Sequence, residues 1–223
     1  STYNFIRAFK SKSEIGSFTI ICIVCDQGFQ GPQSSNNSAS DISSLVNIPI
    51  YCLNNKDDIS QVINSYLVSN GFRIICVSQR AFNKSINDKK ASFVSSDKSI
   101  FKYSCGNDVT LVSYNFALEE SFNLENFLKE NRIFCDLFHV NYVPNQSLEE
   151  ILNSIKKTGK LIILDDSKSV TKYGDYLAVM ILQEGIKCDY MNQTRRGIED
   201  IDYGVNKDQL VVDYERILEF ASK

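Results

Sequence analysis

Residues 156–182 read KKTGKLIILDDSKSVTKYGDYLAVMIL, and this stretch decides the fold. Residues 160–164 form a short, apolar, β-rich run of the kind that a parallel sheet covers on both faces. Asp165 and Asp166 follow it, where the carboxyl end of a parallel strand opens into a crevice. From Tyr173 onward, apolar residues recur at helical spacing. The stretch therefore predicts one helix–strand–helix step of an open α/β sheet.

Length and composition predict a globular protein that is neither disordered nor membrane-spanning. A chain of 223 residues can bury one large core or two small ones. No run approaches the ~20 apolar residues that span a bilayer, and no signal peptide is visible, so we expect a cytoplasmic protein. Seven cysteines, mostly within apolar runs, are expected to be free thiols. Cys22 and Cys25 form C-x-x-C, but a strand would point them to opposite faces, so we predict no metal site.

Charge is unevenly distributed along the chain. Residues 1–104 carry 11 Lys and Arg against 7 Asp and Glu, whereas residues 105–223 carry 13 against 20. Such complementary halves favour docking of one half against the other, within the chain or between chains. No basic stripe with interleaved aromatic residues is present, so we predict no nucleic-acid partner.

The same periodicities divide the rest of the chain into alternating strands and helices. Strands are predicted at residues 18–24, 48–53, 72–77, 109–114, 133–137, 160–164 and 186–191. Helices are predicted at residues 2–10, 38–45, 118–129, 173–182 and 210–221. Two further helices are predicted to begin at a capping Asn55 and at a capping box that starts with Ser147.

The polar, Lys- and Ser-rich segment 81–104 interrupts this rhythm and is predicted to be a linker. It would join a first domain, residues 1–80, to a second domain, residues 105–223. The predicted fold class is α/β, with two open sheets that carry helices on both faces in three αβα layers.

Four segments together resemble the transketolase superfamily, in particular the beta subunits of thiamine-diphosphate-dependent 2-oxo acid dehydrogenases. GFQGPQSS (28–35) is similar to the family's Gly-rich G-P-Q-H-S segment. IPIYCLNNKDDISQVINSYL (48–67) is similar to its Pro-led strand and Asp-containing helix. CGNDVTLVSYN (105–115) is similar to the opening of its C-terminal domain. The stretch 156–182 is similar to a strand and helix of that domain.

The resemblance implies a partial pyrimidine-binding-like domain at residues 1–80 and a transketolase C-terminal-like domain at residues 105–223. The chain would then match the later part of a beta subunit. Upstream of that part, the family carries the glutamate that activates the cofactor's aminopyrimidine.

The resemblance also implies a site that shares thiamine diphosphate and Mg with a partner chain. Gly28, Gly31 and Gln33 would approach the cofactor, since glycines allow close backbone contact. Ser34 stands at the family's histidine position, where a hydroxyl cannot shuttle protons near neutral pH as imidazole does. The alternative for the segment is an ordinary surface turn.

Other residues have both a functional and a structural interpretation. Asp165 and Asp166 could form an acid–base pair or ligate a metal, or they could cap the next helix or face solvent. Arg195 and Arg196 could clamp a phosphate or carboxylate, or pair with nearby acids or a partner subunit. The only histidine, His139, is expected to be a structural residue rather than a displaced catalytic one. Three aromatic residues are expected in the core or an interface: Tyr103, Tyr114 and Phe138.

Two functions from different classes follow, with a third behind them. The first is part of a thiamine-diphosphate-dependent enzyme for 2-oxo acid decarboxylation and dehydrogenation or ketol transfer. It would act with an alpha-type subunit or a second copy of the chain, in a dimer or heterotetramer. The alternative is a catalytically inactive subunit-assembly domain that retains the fold. The third is a small-molecule-binding α/β module that uses the crevice at the strand ends.

Overall fold

Two β-sheets form the framework of the chain. The structure is a computed structural model, and it describes residues 4, 16–24, 26, 39–46, 48, 50–84, 87–143, 148–169, 171–194 and 210–223. The strands are β1 (Ser17–Val24), β2 (Ile50–Leu53), β3 (Gly71–Ser78), β4 (Phe93–Val94), β5 (Ile100–Ser104), β6 (Val109–Tyr114), β7 (Cys135–Val140), β8 (Tyr142–Val143), β9 (Lys160–Asp165) and β10 (Asp189–Thr194). The α-helices are α1 (Ala39–Val46), α2 (Lys56–Tyr66), α3 (Leu118–Glu130), α4 (Glu149–Thr158), α5 (Tyr173–Gln183) and α6 (Tyr214–Ser222).

The first sheet has the strand order β1-β3-β2-β8. Strands β1, β3 and β2 are parallel, and β8 pairs antiparallel with β2. Because β8 directly follows β7 of the second sheet, the chain crosses back to complete the first sheet. The two sheets are therefore joined by strand pairing as well as by the connection between them.

The second sheet has the order β10-β9-β6-β7-β5-β4. Its first four strands are parallel, and β5 and β4 extend it in antiparallel fashion. Both of these strands lie in segment 81–104, for which we predicted a linker. The segment forms strands because some of its side chains are buried in the core, namely Ile100, Phe101 and Tyr103. Its many Lys and Ser residues concealed this apolar pattern in the sequence. The domain boundaries stay a prediction.

Helices cover both faces of each sheet. One core of the second sheet includes residues of α3 and α6, and the core on its other face includes residues of α4 and α5. The two cores of the first sheet likewise include residues of α1 and α2, respectively. Each sheet is thus the middle layer of an αβα arrangement, and the predicted α/β fold class is confirmed.

Two predicted strands begin later than their apolar patterns suggested, at β7 and β10. In both cases the isoleucine at the start of the pattern belongs to the turn that ends the preceding helix, and it does not pair in the sheet. The N–H of Ile133 donates to Leu128 O (2.9 Å), and that of Ile186 donates to Ile181 O (3.0 Å). The residue before each has φ near +62°, which completes a helix-ending turn with an apolar contact.

Asn55 caps helix α2, as its sequence predicted, and the structure shows that it does so as part of a capping box. The Asn55 side chain accepts from the N–H groups of Asp57 (3.1 Å) and Asp58 (2.9 Å), and Asp58 Oδ1 accepts from Asn55 N (3.0 Å). Ser147, where a second capping box was predicted, lies outside the described residues. Of the helix predicted at residues 2–10, only Asn4 is described, and it is helical.

The described cysteines are free, as expected. Cys22, Cys76 and Cys52 lie side by side on three neighbouring strands of the first sheet. Cys25, the second residue of the C-x-x-C pattern, lies outside the described residues. Within the described ranges, no helix combines the length and apolarity that a membrane crossing requires.

Gly106 lies at the start of the CGNDVT segment, where the chain passes directly against β7. A Cβ at this position would lie 2.2 Å from the backbone C and O atoms of Phe134. We therefore expect Gly106→Ala to lower the free energy of unfolding by at least about 3 kcal/mol, because the clash is with backbone that cannot move aside. Urea unfolding measures the change. Gly16→Ala is the control, since nothing lies within 4 Å of its Cβ; equal losses in the two variants would contradict the packing argument.

Candidate functional site

The carboxyl ends of strands from both sheets meet in one place. Asn54 follows β2 and Asn115 follows β6, and the amide of Asn54 donates to the carbonyl of Asn115 (2.8 Å). A cleft of about 310 Å³ opens beside this contact. We call it the inter-sheet crevice; among its lining residues are Asn54, Ser78, Arg80, Lys84, Phe116 and Glu119. In open α/β sheets this edge is where ligands and functional groups gather.

Arg80, in the 3₁₀ turn after β3, is the centre of the polar contacts at this edge. Its guanidinium lies 3.6 Å from Asp26 Oδ2, 3.4 Å from Glu120 Oε1 and 3.5 Å from Asp166 Oδ2. It also donates to Phe116 O (3.1 Å). The two aspartates are fully buried, and the Arg80 side chain is 11% exposed.

The charge of Arg80 is maintained by its neighbours. Burial alone would lower the pKa of this guanidinium, but the carboxylates of Glu120, Asp166 and Asp26 outweigh that effect and raise it. One permanent cation thus faces three acidic groups from three different parts of the chain. The arrangement also links the basic first half to the acidic second half, as the charge distribution predicted.

Asp165 and Asp166 are buried and serve as hydrogen-bond acceptors for the backbone. Asp165 accepts from Asn115 Nδ2 (2.7 Å), from Ser167 N (2.9 Å) and from Tyr173 N (3.1 Å) at the start of α5. Burial raises the pKa of Asp165, although these hydrogen bonds oppose the shift. Asp166 accepts from Phe116 N (3.0 Å) and pairs with Arg80. The capping interpretation is therefore confirmed for Asp165, and the geometry assigns Asp166 to the contact between the sheets.

His139 is fully buried, with both ring nitrogens hydrogen-bonded. Asn54 Nδ2 lies 2.9 Å from Nε2, and Ser113 Oγ lies 2.9 Å from Nδ1. Because an amide nitrogen only donates, Nε2 accepts and the ring proton belongs on Nδ1. Burial lowers the pKa of His139 to about 3, against a smaller raising effect of its bond to Ser113. The histidine is neutral near pH 7 and structural, as the sequence predicted.

The residues that the resemblance pointed to, Gly28, Gly31, Gln33 and Ser34, lie outside the described residues. Arg195 and Arg196, singled out for their charge, also lie outside them. The described residues on either side are anchored. Asp26 accepts from Ser78 Oγ (2.5 Å) and from Arg80 N (3.0 Å), and Ala39 is buried at the start of α1.

The three aromatic residues singled out in the sequence lie in the core. Tyr103, Tyr114 and Phe138 are each at most 5% exposed, which confirms the core interpretation. Sequence reasoning missed Asn54, Arg80 and Asn115 as site residues. The available signal was position, because each lies just after a predicted parallel strand, where side chains from several strands converge.

Known proteins that this chain resembles in sequence are beta subunits of pyruvate dehydrogenase. No family model matches the chain. The chain is 23% identical over 114 residues to the pyruvate dehydrogenase E1 component subunit beta of Rickettsia bellii, a match that covers 49% of this chain and 34% of that protein. The corresponding subunit of Rickettsia conorii matches at the same identity and coverage.

Among solved structures, a split-gene transketolase described as an inactive beta4 tetramer superposes with a TM-score of 0.61 at 10% identity. That match covers 92% of this chain and 64% of the other. The transketolase of Campylobacter jejuni gives 0.59 at 11% identity and covers 92% and 29%. The chain shares the fold of these two transketolases over most of its length. Its sequence resembles E1 beta subunits, and it spans about a third of the length of those curated relatives.

The stability of this transketolase-type fold should depend on Arg80. Arg80→Met keeps an unbranched apolar stem but removes the guanidinium, so three carboxylates lose their shared cation. We expect the free energy of unfolding to fall by about 3–5 kcal/mol. Lys84→Met is the control, because the pair between Lys84 and Glu119 is half-exposed and should contribute less than about 1 kcal/mol. Urea unfolding of both variants tests this, and similar losses would contradict it.

His139 should make the fold sensitive to acid. The unfolded chain binds a proton at this histidine near pH 6.5, whereas the folded chain does so only near pH 3, so acid favours the unfolded state. We expect stability to fall by roughly 1 kcal/mol per pH unit below about pH 6 from this residue. The His139→Gln variant lacks this titration. The difference in free energy of unfolding between the variant and the parent chain should therefore narrow as the pH falls from 7 to 4. A constant difference would contradict the assignment.

Proposed function

We propose that this chain forms one side of a thiamine-diphosphate site, in an enzyme of the 2-oxo acid dehydrogenase or transketolase type. An alpha-type partner chain would supply the part that holds the diphosphate and Mg. The observation that carries the proposal is the agreement of two independent matches. A pyruvate dehydrogenase E1 beta subunit matches the sequence over 49% of the chain, and transketolases match the fold over 92% of it.

The geometry around segment 27–38 supports a cofactor-facing role. Strand β1 is parallel to β3, so its carboxyl end and Asp26 lie at the edge where the inter-sheet crevice opens. The anchored Asp26 fixes the position from which the segment departs. Within it, Gly28, Gly31 and Gln33 are proposed to approach the cofactor, and Ser34 is proposed to donate a hydrogen bond there.

The described residues do not themselves fit the metal. Among them, no group of three His, Cys, Asp or Glu side chains could hold a metal ion. The carboxylates at the crevice edge already accept from Arg80 or from backbone N–H groups. Within the proposal it is the resemblance that assigns Mg to the partner chain, and no role in the chemistry is derived for Asp26, Asp165 or Asp166.

A second candidate is a catalytically inactive assembly subunit. The observation that favours it concerns His139, which is buried, neutral and hydrogen-bonded to Asn54 and Ser113. This histidine therefore cannot replace the family's histidine, at whose position the resemblance places Ser34. One structural relative is described as an inactive beta4 tetramer, so inactivity without a second kind of chain has a precedent in this fold.

Calorimetric titration with thiamine diphosphate and Mg²⁺ separates the two candidates. The chain is titrated alone and then mixed with an alpha-type pyruvate dehydrogenase chain from the same genome. Binding that requires the mixture supports the shared site. A stable mixed complex without cofactor binding would favour the assembly subunit and contradict the first proposal.

Ser34 provides the residue-level test. We expect Ser34→Ala to lower the turnover of the assembled complex by about tenfold, the equivalent of one lost hydrogen bond. Ser35→Ala removes the same hydroxyl one position later and is the matched control. Turnover is measured with pyruvate and other 2-oxo acids and with ketose donors. If the two variants behave alike, the assignment of Ser34 is wrong.

A further inference from the structure

Three cysteines form a row across the first sheet. Cys22 on β1 pairs in register with Cys76 on β3, and Cys76 pairs in register with Cys52 on β2. Because these strands are parallel, the three side chains point to the same face of the sheet, which is the face that α1 covers. Cys52 and Cys76 are buried, whereas Cys22, on the outermost strand, is half-buried. Solvent therefore reaches the row at Cys22.

The three thiols are close enough to hydrogen-bond one another. The Cys22 thiol bonds to that of Cys76, which also bonds to that of Cys52. Their contacts with oxygen are weak: Cys52 Sγ lies 3.8 Å from Asn115 Oδ1, and Cys22 Sγ lies 3.9 Å from Ile23 O. The strongest polar neighbour of each thiol is therefore another thiol, and the pair nearest to solvent is Cys22 with Cys76.

The spacing of the strands limits what two such thiols can form together. Neighbouring strands lie about 4.7–4.9 Å apart, and in-register side chains on parallel strands have their Cβ atoms at about that separation. A disulfide requires its Cβ atoms at roughly 3.5–4.5 Å, so this pair is too wide for an unstrained S–S bond. Two metal–sulfur bonds of about 2.3 Å hold the sulfurs up to ~4.6 Å apart when the ion lies between them. The spacing therefore fits a bridging ion better than a disulfide.

The reactivity of the Cys22 thiol favours the same choice. Its hydrogen bond to Cys76, and after that its burial, raise the pKa of this thiol, so the thiolate is scarce near pH 7. Oxidants and disulfides react with thiolates rather than with thiols, which protects the pair from oxidation. A soft cation binds by displacing the thiol proton, because its affinity for sulfur outweighs the cost of losing that proton.

We propose that Cys22 and Cys76 form a two-coordinate site for a soft monovalent cation of the Cu(I) class. Thiolate ligands select Cu(I), Zn²⁺ and iron–sulfur clusters, but structural Zn²⁺ sites and the clusters take four protein ligands. In the part of the chain that the structure describes, no three Cys, His, Asp or Glu side chains could hold one ion. Cu(I) has a filled d shell and is stable between two thiolates in line, which matches a row in which neighbours meet only in pairs.

Binding at this site requires no oxidant or reductant. Each of the two thiols releases its proton to the solvent, two Cu–S bonds form, and the ion remains Cu(I). The ion takes the place of the hydrogen bond between Cys22 and Cys76 and links β1 to β3. The site does not depend on the proposed cofactor role, and its test measures copper binding by the chain alone.

Titration with Cu(I) under anaerobic conditions tests the proposal. The full chain competes for the ion with a coloured Cu(I) chelator, and it should take up one ion per chain. Cys22→Ser should lower the affinity at least about 100-fold, because losing even an outer-shell partner of a metal site costs roughly 10–100-fold. Cys105→Ser removes an exposed thiol outside the row and should leave the affinity unchanged. Unchanged affinity in Cys22→Ser, or loss of the ion in Cys105→Ser, would overturn the proposal.

Two further variants assign the ligand pair. Cys76→Ser should lose the ion as Cys22→Ser does, whereas Cys52→Ser, the next position in the row, should retain it. Circular dichroism verifies that the variants are folded, and Cys22→Ser decides alone if the buried Cys76→Ser does not fold. X-ray absorption of the loaded chain should show two sulfur neighbours around the ion. Three sulfur neighbours, loss of binding in Cys52→Ser, or displacement of Cu(I) by equimolar Zn²⁺ would overturn the two-coordinate assignment.

Discussion

The contact between Arg80 and its three carboxylates is the constraint on which the arrangement of the two sheets depends. Asp26 comes from the end of β1, Asp166 follows β9, and Glu120 lies in the first turn of α3, so one side chain joins both sheets and a helix. Desolvating these charges is costly, and the contact is tolerable because attraction and hydrogen bonds offset that cost only in this geometry. Such a contact specifies one relative placement of the sheets more than it adds to stability.

That placement has a consequence for chemistry. The carboxyl ends of the two parallel sets of strands face each other. The described polar side chains at this edge therefore form most of their hydrogen bonds with one another. Asn54 contacts His139 and Asn115, and Asn115 contacts Asp165. The edge is therefore a structural junction over most of its extent. The segment after Asp26 starts from a residue that this network holds firmly.

Local patterns in the sequence were enough to predict the order of most strands and helices, the α/β class, the helix cap at Asn55 and the resemblance to the transketolase superfamily. These depend on periodicity, turn chemistry and short motifs, all of which act over a few residues. It also indicated that the chain's two halves attract each other. Only the tertiary structure decided that β4, β5 and β8 join the sheets, that Arg80 meets Asp166 across 86 positions of the chain, and that His139 is buried and neutral. Strand pairing, side-chain burial and ion pairs depend on which distant segments of the chain pack together. A pattern of a few neighbouring residues does not contain that information.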